Sequence, residues 1–360
     1  MFKKWGLVLS SLFLTLTISA CGGNSALPGN GSSIDGSTGE DKELVVVDWG
    51  GARTEASKKS IYEPFEKQYG VKVISVSPTD YGKFKAMVQS GAVEWDVVNV
   101  DTDFVIRGGK EGLLEKLDYG VISKEGLIED LVNEYGVGSD LFTTAISYNT
   151  NAYSNDNHPK NWSEFWDTNK FPGSRALWKY APATLEAALL ADGVKPEELY
   201  PLDVDRAFKS LDKIKKDIKV WWSSGAQSVQ ILSSKEVVLA EAWNGRISKA
   251  KADGAPIDLE FNEGLIMANN WVIPKGAPHK DLAMKFIAFA LEAKQQAVFS
   301  SELDYAPVNE KALDLMSDEV KNRLGQSPEK YKTQLFINVN WWVDNYDKVN
   351  ERFQQWLLAR

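Results

Sequence analysis

Asp101 and Asp103 follow the apolar run Trp95–Val100, and Arg246 follows Trp243-Asn244-Gly245. With the chain's 13 tryptophans, these residues carry its most specific chemistry. A carboxylate receives an ammonium. An indole face attracts the same cation within about 6 Å, worth about 2 kcal/mol or more where water is excluded. Arginine holds a carboxylate through two parallel hydrogen bonds. The set suits a small molecule with an ammonium at one end and a carboxylate at the other. Trp49 and Trp243 are the best placed, since each ends an apolar run and is followed by glycine or polar residues, which sets it at a rim. Of Asp101 and Asp103, one can take the cation while the other caps the next helix. Arg246 can instead be a surface helix residue. A calcium loop is excluded, because its sixth position needs glycine and Ile106 stands there.

The elements around these residues alternate. Glu43–Trp49 reads as a buried strand, Thr54–Tyr69 as a helix with Ile61, Phe65 and Tyr69 on one face and a kink at Pro64, and Val71–Ser77 as a second strand. Tyr81–Ser90 is a helix with Phe84, Met87 and Val88 inward, and Trp95–Val100 a third strand. This order argues for a mostly parallel sheet whose ligands sit outside the carboxyl ends of its strands. Further on, Leu141–Asn149, Lys219–Trp222, Glu236–Trp243 and Gly264–Pro274 read as strands. Val204–Ile218, Ser228–Ser233, Ala283–Val298 and the stretch from Tyr331 to the end read as helices. Gly50-Gly51 before Thr54 leaves a helix N-terminus usable for an anion, or is only a tight turn.

Cys21 is the single cysteine in the chain. It follows Lys3 and Lys4 and an apolar stretch of about 16 residues, shorter than the roughly 20 that a bilayer span needs. That pattern is a secretory signal peptide over residues 1–20. Its small residues followed directly by Cys resemble a bacterial lipobox, which implies lipidation of Cys21 and anchoring of the mature protein to the membrane by acyl chains. Residues 21–42 are rich in Gly, Ser and Asn and read as a flexible tether. The formal charge of −9 grows more negative once Lys3 and Lys4 are removed. No basic cluster suited to nucleic acid is present. Residues 43–360 are long enough for two lobes.

Several segments in order resemble the extracellular solute-binding proteins of bacterial ABC importers, in the spermidine/putrescine-binding branch. They are Trp49 after the first strand, WDVVNVDTDF (Trp95–Phe104), ISYNT (Ile146–Thr150), WNGR (Trp243–Arg246), NNWVIPKGAP (Asn269–Pro278) and LDYAPVN (Leu303–Asn309). The resemblance implies an α/β, two-lobe periplasmic-binding-protein-like fold of type II, with the ligand in a cleft that closes by hinge motion. The lobes would comprise 43–147 with 272–307 and 148–271 with 308–360, crossing near Ser147–Asn149, Asn270–Val272 and Ala306–Asn309. A membrane permease and a separate ATPase are the implied partners, since this chain has no phosphate-binding loop of its own. The protein would act as a monomer without cofactor or metal.

In such a fold Trp178, Trp221, Trp222 and Trp271 join Trp49 and Trp243 near the cleft, while Trp162, Trp166, Trp341 and Trp342 suit the core. Tyr81, Gln227, Asn244 and Asn269 would supply hydrogen bonds. Two departures from the polyamine pattern matter. Asn269 stands where the branch has its strongest acid, and Lys179–Ala183 (KYAPA) lacks the second acidic group. A diamine facing Arg246 without counter-charges would lose several kcal/mol. The residues therefore favour a γ-amino acid such as 4-aminobutyrate over a polyamine. The alternative is a sugar or other neutral solute stacked on the same tryptophans. An enzyme is not expected: His158 and His279 lie far apart in polar loops, and no nucleophile motif is present.

Overall fold

The computed structural model describes residues 43–359, so the signal peptide, the tether and Cys21 lie outside the described residues. Its strands are β1 (Glu43–Val47), β2 (Lys72–Val76), β3 (Val97–Asp101), β4 (Val132–Asn133), β5 (Gly136–Asn149), β6 (Arg175–Trp178), β7 (Ile218–Trp222), β8 (Leu239–Trp243), β9 (Ile257–Val272) and β10 (Leu335–Phe336). They form one sheet in the order β2-β1-β3-β9-β5-β8-β6-β7, with β10 beside β9 and β4 beside β5. β1 pairs in parallel with β2 and β3, and β6 in parallel with β7 and β8. These are the two wound α/β units that the strand–helix alternation requires.

A pair of long antiparallel strands joins the units. β5 pairs with β9 from Val137 to Asn149. Only its second half, Thr144–Tyr148, also pairs with β8, and only the last part of β9, Asn269–Val272, pairs with β3. The partners thus change within the strands, near Thr144 and Asn269. Irregular register at Gly138/Asp140 and Thr144/Ile146 flanks the change. A third crossing is made where the Leu141 and Ala306 backbones exchange hydrogen bonds, each 2.9 Å. Val308 packs with the core of the first unit. Each unit has its own apolar core, with Phe65, Val97 and Phe286 in one and Trp162, Leu177, Phe208 and Phe353 in the other. A separate cluster of Phe142, Trp178, Trp222, Trp243 and Tyr305 sits at the crossing.

Local departures have tertiary causes. β5 is longer than its apolar stretch because Gly136–Asp140 is buried: a Cβ on Gly136 would stand 2.8 Å from Val105 and one on Gly138 2.8 Å from Leu131. The helical run Ala52–Tyr69 contains a π turn at Lys58–Tyr62 just before Pro64, which accommodates the residue that has no N–H to give. Ile61 and Phe65 are buried on it, whereas Tyr69 is 40% exposed. The expected helix Ala283–Val298 is two, Lys280–Ala290 and Ala293–Leu303, with Glu292 extended between them. The Gln296 side chain holds the break by bonding the Ser139 and Ala290 carbonyls and the Val308 N–H. Val339–Leu358 is the last helix.

Candidate functional site

Between the two units lies an inner cavity lined by Trp49, Asp101, Trp178, Trp243, Arg246 and Asn269, all singled out from the sequence, together with Arg53, Phe142 and Tyr305, which were not. Its volume is about 10 Å³. That is room for about one water molecule, so a solute that reaches Arg246 must also occupy the wider space outside the tryptophans. Trp243 is the hub of its aromatic wall, meeting Trp49 at 6.4 Å, Trp178 at 5.5 Å and Trp222 at 5.1 Å, all edge to face. The indole N–H groups of Trp49, Trp178 and Trp243 are buried and have no hydrogen-bond partner. Trp222 stands behind them, fully buried, its own N–H given to the Glu241 carbonyl at 2.9 Å.

Arg246 is 3% exposed. Its Nη1 donates to the Gly50 carbonyl at 2.9 Å and its Nη2 to that of Trp49 at 3.3 Å, while Nε has no partner. Among the described residues no carboxylate lies within ion-pair distance of it. Burial lowers its pKa from the ordinary arginine value, and Tyr305 opposes that. Gly225 makes room for it, since a Cβ there would stand 2.2 Å from Arg246 Nε. The other cavity arginine, Arg53, is neutralised by Asp140 through bonds of 2.9 and 2.7 Å. Asn269 donates to the same Asp140 at 2.8 Å. Arg246 is thus a buried cation with no ion-pair partner among the described residues, beside several unpaired donors, which is the chemistry of a site for an anionic group.

Asp101 is the counterweight. Burial, and after it the neighbouring Asp103 charge, push its carboxyl up to about 7 against the opposing pull of Tyr81 and Arg107. Tyr81 is in place through that carboxyl rather than in the inner cavity; it donates to Asp101 Oδ2 at 2.8 Å. Asp103 is not brought to the cavity, because Arg107 takes its carboxylate through Nε at 3.0 Å and Nη2 at 2.9 Å.

Four other candidates make their contacts away from the inner cavity. Trp221 faces the C-terminal helix, with Trp356 at 5.6 Å and Phe353 at 5.9 Å. Gln227 accepts from the Ser223 N–H at 2.9 Å at the start of its own helix. Asn244 ties the crossing segments, accepting from the Thr143 N–H and donating to the Asp304 carbonyl, each at 2.9 Å. Trp271 is buried beside Phe286 and Arg53. The helix start after Gly50-Gly51 carries an anion of the protein itself, Asp48, which accepts from the Gly50 N–H and from Tyr62, each at 2.8 Å. Outside the tryptophans the space widens into a chamber of about 560 Å³, edged by Tyr81, Arg107, Tyr180 and Tyr346.

Residues 60–325 match the family described as bacterial extracellular solute-binding protein. The chain belongs to that family. It is therefore a solute-binding protein and not an enzyme. The gamma-aminobutyric acid-binding protein of Pseudomonas aeruginosa is 36% identical over 88% of this chain and 91% of its own length. More distant relatives are named spermidine/putrescine-binding periplasmic proteins, at 24% and 27% identity. Among solved structures, the Atu4243 GABA receptor is 42% identical with a TM-score of 0.79, over 88% of this chain and 98% of that one. Agrobacterium tumefaciens AgtB in complex with agropinic acid is 36% identical with a TM-score of 0.84, and the same organism's AttC in an open unliganded conformation is 31% identical with a TM-score of 0.63. Both comparisons cover 88% of this chain and 99% of the other. The higher score against the liganded structure agrees with the closed cleft seen here. The two-lobe periplasmic-binding-protein-like fold is shared by these neighbours.

Proposed function

We propose that this chain is the substrate-binding lipoprotein of a bacterial ABC importer, and that it captures a zwitterionic ω-amino acid of the 4-aminobutyrate class. The observation that carries the choice of ligand is Arg246, a buried guanidinium with an unpartnered Nε and, among the described residues, no carboxylate within ion-pair distance. A ligand carboxylate would supply the missing counter-charge and accept from the indole N–H groups around it. The ligand ammonium would lie against the tryptophan faces and the Asp101 carboxylate. A diamine would set its second ammonium against Arg246, and a sugar would leave Arg246 without a counter-charge. The ligands named for two of the relatives, at 36% and 42% identity, support the same class.

In this reading the lobes, hinged near Thr144, Asn269 and Ala306, close on the solute and present it to a membrane permease driven by a separate ATPase. Cys21 carries the lipid that holds the monomeric protein at the outer face of the membrane. Titration calorimetry of the protein with 4-aminobutyrate, putrescine, spermidine and glucose tests the ligand. Tight, saturable binding of 4-aminobutyrate and much weaker binding of putrescine are expected; tighter binding of putrescine would return the protein to the polyamine class.

A further inference from the structure

The cleft is bridged at its mouth by contacts that involve no ligand. The helix Thr102–Lys110 belongs to the first lobe, where Phe104 and Val105 enter its core. The helix Val339–Leu358 belongs to the second, where Trp342, Val349 and Phe353 enter the other core. Between them the Arg107 guanidinium lies over the Tyr346 ring, 4.1 Å from its centroid. Its other aromatic neighbour is Phe104 of its own helix, at 5.6 Å. Asp103 grips Nε and Nη2, which fixes the guanidinium plane and leaves its face for the opposite lobe. Arg107 Nη1 also reaches Asp347 at 3.4 Å, but that carboxylate is 80% exposed; Lys110 and Asp344, at 3.9 Å, are both exposed. Exposed pairs contribute little, whereas a guanidinium with 11% of its side chain exposed gains substantially from an aromatic face.

We propose that Arg107 and Tyr346 form a clasp that holds the lobes closed independently of ligand, with Asp103 as its positioning residue. The clasp gives a role to Asp103, which the solute site does not use, and it does not depend on which solute binds. A ligand-independent bias towards the closed form limits entry to the moments when the clasp is open.

Paired spin labels on the two lobes read the clasp directly. Cys21→Ser removes the one native thiol, and Glu94→Cys and Lys219→Cys, at side chains 74% and 53% exposed, place the labels. In the ligand-free full chain, pulsed dipolar spectroscopy should show a short-distance population. Tyr346→Ala should lower the closed-to-open ratio about tenfold, and Tyr346→Phe, which keeps the ring, should leave it near the parent value. Arg107→Lys keeps the charge for Asp103 but loses the planar face, and should also lower the ratio; it carries the test if Tyr346→Ala fails to fold. The absence of a short-distance population in the ligand-free parent would overturn the proposal. So would an unchanged ratio in folded Tyr346→Ala or in Arg107→Lys.

Discussion

Tyr81 and Asp101 are joined twice: the tyrosine hydroxyl donates to Oδ2 at 2.8 Å and accepts the Asp101 backbone N–H at 3.0 Å. The Tyr81 ring is itself stacked on Phe104 at 4.4 Å and meets Trp49 edge-on at 6.1 Å. The carboxyl at the end of β3 is therefore held by a residue that the aromatic wall holds in turn. Its direction is set before any ligand arrives, which lowers the cost of ordering on binding.

That carboxyl titrates at about 7, so at lower pH it carries a proton. A ligand ammonium favours the carboxylate, and binding must release that proton. Affinity for 4-aminobutyrate should fall towards about tenfold per pH unit below 7 and level off above it. Asp101→Asn should bind weakly and lose this dependence between pH 5.5 and 7. Calorimetry in buffers of different ionisation enthalpy measures the proton directly; no proton release at pH 6 would remove Asp101 from the ligand.

Removing Arg246 tests the other end. Arg246→Gln keeps a polar side chain but no charge, and should weaken 4-aminobutyrate by about 2–5 kcal/mol. Putrescine, which gains nothing from a cation, should lose far less. Equal losses measured for the two ligands would make Arg246 a structural link to Gly50.

Gly225 separates site from scaffold. It opens the helix Gly225–Ser233, with Ser224 as N-cap, and alanine suits a helix at least as well as glycine. Its Cβ, however, would meet Arg246 Cδ at 2.3 Å and Nε at 2.2 Å. Gly225→Ala should therefore bind 4-aminobutyrate as poorly as Arg246→Gln while unfolding near the parent's midpoint. Parent-like affinity would mean that the guanidinium can move without consequence.

The sequence was most legible where a strand ends. Trp49, Asp101 and Trp243 lie at or just beyond the carboxyl ends of β1, β3 and β8, where an α/β sheet places its ligand. Two further signals lie in the residue spacing. Asp103 and Arg107 stand at the separation of a helical i, i+4 ion pair, so the Asp103 carboxylate is taken up within its own helix. Trp221 and Trp222 are neighbours on β7 and must face opposite sides of the sheet, so they cannot both face one cleft. Arg53, Phe142 and Tyr305 had no local mark. They reach the cavity from a helix start, the middle of β5 and the third crossing, and only the long-range pairing of Leu141 with Ala306 and of Arg53 with Asp140 brings them together. The same holds for the break at Glu292, which depends on the reach of Gln296 to Ser139.

Behind the aromatic wall two buried acids make stability depend on pH in an unusual direction. Burial pushes Glu241 up to about 8 and Glu186 up to about 7. Glu241 accepts from the Trp178 backbone N–H at 3.0 Å, and Glu186 from the Tyr200 hydroxyl and the Trp342 indole N–H at 2.6 and 2.7 Å. Unfolded, both titrate near 4.5. Between these limits the folded chain holds protons that the unfolded chain has released, so these two groups make stability fall as pH rises from about 5 to 8. Each contributes at most about 1.4 kcal/mol per pH unit. Glu241→Gln keeps an acceptor for Trp178 and removes the titration. Thermal midpoints of the parent should drop from pH 5.5 to pH 8.5, and the drop should be smaller in Glu241→Gln. Parallel profiles for parent and variant would mean that Glu241 is ionised throughout, with the charge held by groups other than Trp178 and Thr184.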